Sequence, residues 1–194
     1  PFWLVLIIFP QSQICRVFIV SIFPIFILSL VYGYLLYINF YDDFNFFGPV
    51  PSDCPTSINC ELSNLDPMEL RKKNINKVGI VFNLDVSTGP GTHWTAVFMN
   101  VKNGELDYFD SYGSKPIPLI NKFMKNMAEK FNKNNIEPTL VYNDKRHQYG
   151  ASECGMYSMY FILKRLTGDS MYNISSKKIT DKKMNDLRKA FYRD

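Results

Sequence analysis

The polar and apolar positions divide the chain into two unequal parts. From Val17 to Tyr41 no charged residue occurs, and Ile, Phe, Leu, Val and Tyr dominate. About 20 apolar residues suffice to cross a bilayer as a helix, so the run reads as a membrane anchor. Tyr32, Tyr34, Tyr37 and Tyr41 gather toward one end as an interfacial aromatic belt would, and Asp42-Asp43 close the segment. Pro24 and Gly33 are tolerated in spanning helices whose neighbours satisfy the freed backbone groups. The alternatives are a signal-like segment or translated sequence outside the gene. Residues 1–15 are also apolar and fit a truncated second span, and Arg16 alone is too little to orient it. Pro1 stands where an initiator methionine is expected, so the chain reads as a fragment or a processed form.

After Phe44 the pattern becomes that of an ordinary globular domain. The organisation expected is an apolar leader over residues 1–41 and a folded domain over residues 42–194. Gly48-Pro49-Val50-Pro51 and Asp53-Cys54-Pro55 read as an irregular entry. Gly79 to Leu84 is a short β-branched and apolar run, followed by the turn-rich Ser87-Thr88-Gly89-Pro90-Gly91. His93 to Val101 and Leu106 to Ser111 make two further strands around Asn103-Gly104, a hairpin signal. Pro116 opens a helix in which Ile120, Phe123, Met124, Met127 and Phe131 follow the three-to-four spacing of one buried face. Thr139 to Tyr142 reads as a strand, Lys145 to Glu153 as a loop, and Cys154 to Leu166 as a buried helix ended by Gly168. An amphipathic helix over Asp181 to Tyr192 closes the chain. Helices fall both between and after strands, which predicts an α+β fold with a central mixed or antiparallel sheet flanked by helices.

Charge adds little to this picture. Twenty-two basic and 18 acidic residues leave a net charge of +4, too small and too evenly mixed for a nucleic-acid surface. The four cysteines (Cys15, Cys54, Cys60, Cys154) show no CxxC spacing, and no histidine lies near Cys54 or Cys60. That argues against a zinc site and against a disulfide framework; no metal and no cofactor is expected.

The candidate chemistry lies at Cys154. A free thiol titrates near ~8.5, and both a helix N-terminus and a neighbouring imidazolium lower that value. Cys154 opens an apolar helical run, where unpaired N–H groups favour an anion. Ser152 or Glu153 could cap that helix. Glu153 would oppose a thiolate unless its side chain turns to solvent or to a basic partner. The chain has two histidines. His93 lies at the start of a strand beside Trp94, which suits a general base, whereas His147, in Lys145-Arg146-His147, reads as a surface residue. Asp110 ends an apolar strand, where a carboxylate would hold the imidazole's tautomer. Asp107 and Asp110 could otherwise be exposed strand carboxylates. Register matters here, because a strict two-residue Asn-Gly turn would place Asp110 opposite Val97, about 13 Å along the strand from His93. A longer loop with Gly104 in a bulge, or a diagonal approach by His93, is therefore predicted. Gln148, six residues before Cys154, could supply an amide donor to a developing oxyanion beside the Cys154 N–H.

The ordered set His93-Trp94, Tyr108-Phe109-Asp110-Ser111, Gln148 and Cys154-Gly155 resembles the Ulp/SENP SUMO-protease and adenovirus-protease superfamily. Val81-Phe82-Asn83-Leu84-Asp85 with Gly89-Pro90-Gly91-Thr92-His93-Trp94 looks closest to the virion maturation proteases of large nucleocytoplasmic DNA viruses. The resemblance implies a papain-like fold in circularly permuted order, His–Asp–Gln–Cys, and cleavage after Gly-Gly. It implies His93 as base, Asp110 as its orienter, Gln148 as oxyanion donor and Cys154 as nucleophile. Trp94 and Asn83 would line the cleft, although core packing and a structural role are their simpler readings. The implied partner is a protein or polyprotein with a Gly-Gly-X site, in a virion or host cytoplasm, at a membrane if residues 17–41 anchor it. An isopeptidase for SUMO-like or ubiquitin-like proteins is the alternative, and an inactive membrane-tethered binding module the second. The other tryptophan, Trp3, lies in the leader, so the second tryptophan clamp of SUMO proteases is missing.

Overall fold

The computed structural model describes residues 41–191. All but the last residue of the apolar run at 17–41 lies outside them, and among the described residues no helix is long and apolar enough to cross a membrane. Five strands form one mixed sheet in the order β1 (Phe44–Pro51), β2 (Lys77–Asn83), β3 (Trp94–Asn100), β4 (Glu105–Phe109) and β5 (Thr139–Tyr142). The central pairs β2/β3 and β3/β4 are antiparallel, whereas β1 and β5 join the edges in parallel. The helices are α1 (Pro67–Lys72), α2 (Pro118–Lys133), α3 (Cys154–Leu166), α4 (Met171–Ser176) and α5 (Asp181–Phe191). This is the α+β architecture expected, a mixed sheet flanked by helices.

The two-residue period of the strands sorts their side chains onto two faces. Val78, Ile80, Phe82, Val97, Met99, Leu106 and Tyr108 meet the α2 stripe of Ile120, Phe123, Met124, Met127 and Phe131. Val81, Ala96, Phe98 and Phe109 meet Met156, Tyr157, Met159, Phe161 and Ile162 of α3. Coverage on both faces explains why β2 to β4 read as near-continuous apolar runs rather than as alternating ones. Phe161 is fully buried and stacks on Phe109 with ring centroids 5.0 Å apart. Truncating such a ring to alanine costs about 3–5 kcal/mol, which fixes α3, and Cys154 at its head, against the sheet.

Three features correct the sequence reading. The entry segment is partly a strand. Residues 44–51 pair with β2, with a register irregularity between Phe47 and Val50 around Gly48-Pro49. An edge strand tolerates proline because one of its sides needs no donor. Cys54 and Cys60 are disulfide-bonded, although their spacing gave no such signal. Consecutive turns, with Ser57 N–H donating to the Cys54 carbonyl (3.0 Å) and Cys60 N–H to that of Ser57 (3.1 Å), fold the chain back on itself. Their Cα atoms come within 5.4 Å, a normal bridging distance. Helices α1 and α4 were not anticipated, yet both carry side-chain caps. Asp66 accepts from Met68 N–H (2.7 Å) and Ser170 Oγ from Asn173 N–H (3.1 Å).

The hairpin has a loop longer than the strict two-residue Asn-Gly turn, as expected. Asn100 pairs with Glu105 and Ala96 with Phe109, so Val101–Gly104 form the loop. Gly104, at φ +78°, donates its N–H to the Asn100 carbonyl (2.9 Å). Continued one step, this register sets Asp110 opposite Thr95. His93 therefore approaches Asp110 diagonally from two residues away, a separation of about 7–8 Å that long side chains bridge.

Candidate active site

His93 is delivered by a rigid loop. Its carbonyl accepts from Leu84 N–H (2.9 Å), extending the β2/β3 ladder by one pair. The preceding turn is tied by Asp85, whose carboxylate accepts from Gly91 N–H (2.8 Å), Thr92 N–H (2.9 Å) and Thr92 Oγ1 (3.0 Å). From this edge His93 Nε2 meets Asp110 Oδ1 at 2.7 Å, with both residues buried. That contact occupies Nε2 and leaves Nδ1 to exchange a proton with another group. Burial works to lower the His93 pKa, but hydrogen bonding to Asp110 and to Cys154, with their charges, outweighs it and lifts the value to about 9. Cys154 is the first residue of α3 and the free cysteine among the described residues. The fold thus brings three of the residues singled out in the sequence into one interacting group.

Asp110 is held from several sides. Its Oδ1 also accepts from Tyr112 N–H (2.8 Å). Buried Asn143 clasps its backbone, accepting from Asp110 N–H (2.8 Å) and donating Nδ2 to the Asp110 carbonyl (2.7 Å) and to that of Lys145 (3.1 Å). Ser111 continues the unit, since its carbonyl accepts from His147 N–H (2.8 Å) and Gln148 N–H (2.9 Å). Its hydroxyl donates to Gln148 Oε1 (2.6 Å). Gly113, at φ +74°, closes the turn so tightly that a Cβ there would lie 2.7 Å from the Lys145 carbonyl carbon.

Gln148 is fully buried. With Oε1 held by Ser111, one Nε2 hydrogen bonds the Gly150 carbonyl (2.9 Å) and the other remains for a further acceptor. The loop is pinned to α5 by Asp181, which accepts from Tyr149 N–H (3.0 Å), Gly150 N–H (2.8 Å) and Tyr157 Oη (2.8 Å). Burial would raise the Asp181 pKa, but these donors and Lys178 hold it below the usual carboxylate range.

Other residues behave differently from expectation. His147 is buried, not at the surface; its Nδ1 accepts from Ile179 N–H (3.2 Å) and its ring stacks on Phe109. Burial and Lys145 lower its pKa. The charged pair Lys145-Arg146 suggested exposure, but the loop turns inward immediately after them. Asp107 is also buried, beside Arg165 of α3 (2.7 Å). Burial raises its pKa to about 6, against the opposing pull of Arg165. Glu153 occupies the N-cap position of α3 without capping it; its carboxylate accepts from Ser152 N–H, Ser152 Oγ and Asn185 Nδ2, each at 3.1 Å. Asn83, buried at the end of β2, pairs with Trp94 in the ladder and accepts from Asp85 N–H (3.1 Å). Trp94 is half-buried against the α3 side of the sheet. Asn143, Tyr112 and Asp181 were not anticipated; only the adjacency of Tyr112 to Asp110-Ser111 offered a clue.

Such a fold, with a thiol heading a sheet-packed helix beside a His–Asp pair, belongs to the cysteine-type peptidases. Residues 67–194 match the C-terminal catalytic domain of the Ulp1 protease family, and the chain belongs to that family. It is similar to a protein of Acanthamoeba polyphaga mimivirus named as a thiol protease, 36% identical over 163 residues, covering 81% of this chain and 53% of that protein. A cysteine protease of African swine fever virus is 34% identical over 125 residues, covering 63% of this chain and 46% of that protein. The chain thus spans about half the length of these relatives. Among solved structures, the African swine fever virus protease superposes with a TM-score of 0.74 at 24% identity, over 86% of this chain and 67% of that one. The SUMO protease Ulp1 does so at 0.59 and 14% identity, over 84% and 73%.

Proposed function

We propose that the domain is a thiol endopeptidase that cleaves after Gly-Gly in viral structural polyproteins, with Cys154 as nucleophile, His93 as base, Asp110 as its orienter and Gln148 as oxyanion donor. The carrying observation is the buried His93 Nε2–Asp110 Oδ1 contact of 2.7 Å, with His93 also interacting with Cys154 at the head of α3. The Cys154 thiol gives its proton to His93 Nδ1, and the thiolate attacks the scissile carbonyl carbon. The oxyanion accepts from the Cys154 N–H and from the second Gln148 Nε2 hydrogen. Collapse breaks the C–N bond as His93 returns the proton to the leaving amine, leaving a thioester. Water, losing a proton to His93, then attacks the thioester and releases the acid and the thiol. Trp94 and Asn83 would wall the channel that admits only glycines. Relatives named as viral thiol and cysteine proteases support a viral protease, for which polyprotein processing is the first reading. The Ulp1 protease family match and viral relatives named as SUMO-1 cysteine proteases support a second, an isopeptidase for a SUMO-like protein.

The test is labelling by a Gly-Gly vinyl or aldehyde probe. Labelling lost on Cys154→Ala and kept on Cys15→Ala is expected; labelling that survives Cys154→Ala overturns the assignment. Cleavage of a Gly-Gly-X peptide panel against a ubiquitin-like fusion separates the two substrate readings.

A further inference from the structure

Tyr112 packs directly on the base of the His–Asp pair. Its ring lies over the His93 imidazole with centroids 4.4 Å apart and planes 11° from parallel. Its N–H donates to Asp110 Oδ1, the oxygen that meets His93 Nε2. The Arg146 guanidinium carbon lies 5.1 Å from the centre of the same ring and 4.9 Å from that of Tyr149. Arg146 Nε in turn donates to the Gln148 carbonyl (2.7 Å), and Lys178 Nζ lies 4.7 Å from the exposed Tyr149 ring. His93, Tyr112, Arg146, Tyr149 and Lys178 therefore form a column of alternating aromatic and cationic groups running from the buried base to the surface.

We propose that Tyr112 is a positioning residue for His93, whose ring face fixes the plane of the imidazole and stabilises its protonated form. The face of a phenol carries negative charge density, and a cation within about 6 Å of its centre is attracted. Neutral imidazole gains only the stacking, so the ring favours imidazolium selectively. The other groups facing His93 are Asp110 after β4 and Cys154 at the head of α3. Arg146 is a permanent cation on the Tyr112 ring. It opposes a second charge there, but it also anchors the ring to the backbone of Gln148. The base and the amide donor are thus joined through one tyrosine. The inference rests on the proposed role of His93, but its readout is a titration midpoint, separate from turnover.

The test is an NMR titration of the His93 Cε1–H in the full chain carrying Cys154→Ala, so that the imidazole titrates without a coupled thiol. With two histidines in the chain, the His93 signal is the one lost on His93→Gln. Tyr112→Leu is expected to lower the midpoint by roughly 0.5 to 1 pH unit, whereas Tyr112→Phe keeps it. Tyr112→Met, which retains bulk without the ring, carries the same expectation as Leu should Leu fail to fold. A Leu or Met midpoint within about 0.2 pH unit of the parent, or an equal fall in Phe, overturns the proposal. Probe labelling that persists in Cys154→Ala would sink the proposed function and leave this readout intact.

Discussion

Replacing Asn143 by alanine should be among the most damaging single changes near the site, although its side-chain hydrogen bonds go to the backbone of Asp110 and Lys145 rather than to His93 or Cys154. The side chain makes three hydrogen bonds of 2.7–3.1 Å, two of them clasping the Asp110 backbone, and it is 2% exposed. A net hydrogen bond contributes about 1 kcal/mol, and a buried group left without its partner costs about 1–3 kcal/mol. Removing the amide strands the Asp110 N–H and carbonyl together, which gives roughly 3–5 kcal/mol. A water admitted to the vacated space could restore part of this and lower the loss to about 2 kcal/mol. Asn143→Asp keeps the acceptor for Asp110 N–H but faces two carbonyl oxygens with a carboxylate, so it should not rescue. Urea denaturation at neutral pH measures the loss. Labelling of Cys154 on the remaining folded protein should slow as well, because the Asp110 carboxylate loses the backbone that aims it. A loss below about 1 kcal/mol, or rescue by Asn143→Asp, would refute this account of how the carboxylate is held.

The remaining predictions concern pH, the Gln148 loop and the disulfide. His93 has a folded pKa near 9 against an ordinary 6.5, so the native state holds its proton more tightly. Its contribution, about 3 kcal/mol at most, is full below pH 6.5, fades between 6.5 and 9, and is gone above. Urea stability should therefore fall with rising pH through that window, and do so less steeply in Asp110→Ala; equal slopes would contradict the pairing. Asp181→Ala removes the acceptor of Tyr149 and Gly150 N–H, so labelling by a Gly-Gly probe should slow about tenfold while alkylation by iodoacetamide, which needs no oxyanion donor, is unchanged. Equal slowing of both reagents would show that the loop does not act through Gln148. Reduction of Cys54–Cys60 should cost about 2 kcal/mol for so short a loop and leave Cys154 labelling of the folded protein intact, as read by thermal melts and probe kinetics with and without reductant.

Much of the candidate site was legible because its residues sit at element ends, where sequence signals are sharpest. Cys154 opens an apolar run, Asp110 closes one, and His93 follows a glycine-rich turn; each boundary fell within a residue or two of the observed element. What stayed hidden depends on tertiary contact. His147 and Asp107 are polar residues that burial partners rescue, Ile179 N–H for one and Arg165 for the other. Neither partner is near in sequence, at 32 and 58 residues away. Strand β1 was obscured because Gly48-Pro49 signals a break, a signal that holds for central strands and lapses at an edge. The caps of α1 and α4 were local and could have been found. The Cys54–Cys60 bridge could not, since spacing alone does not reveal two turns in succession.

The parts of the site are carried by separate supports, and the loop from Asn143 to Gly150 is what brings them into register. His93 rides on the β2/β3 edge and Cys154 on α3, which is packed against the sheet by Met156, Phe161 and Ile162. Neither support by itself fixes the distance to an amide donor. Asn143 and Ser111 bind the loop to Asp110 at one end. At the other, the Tyr157 hydroxyl of α3 donates to Asp181 (2.8 Å) and sits within 3.1–3.2 Å of the Ile179 and His147 carbonyls. The loop is therefore tied to the strand that carries the carboxylate and to the helix that carries the thiol. Glu153 fits the same logic. A carboxylate beside the thiol would oppose a thiolate, but its oxygens face Ser152 and Asn185, and Arg188 Nη2 donates to the Ser152 carbonyl (2.6 Å). Glu153 is thereby held by donors of Ser152 and α5, while the unpaired N–H groups of the first turn of α3 and the His93 imidazole both face Cys154 and favour its anion.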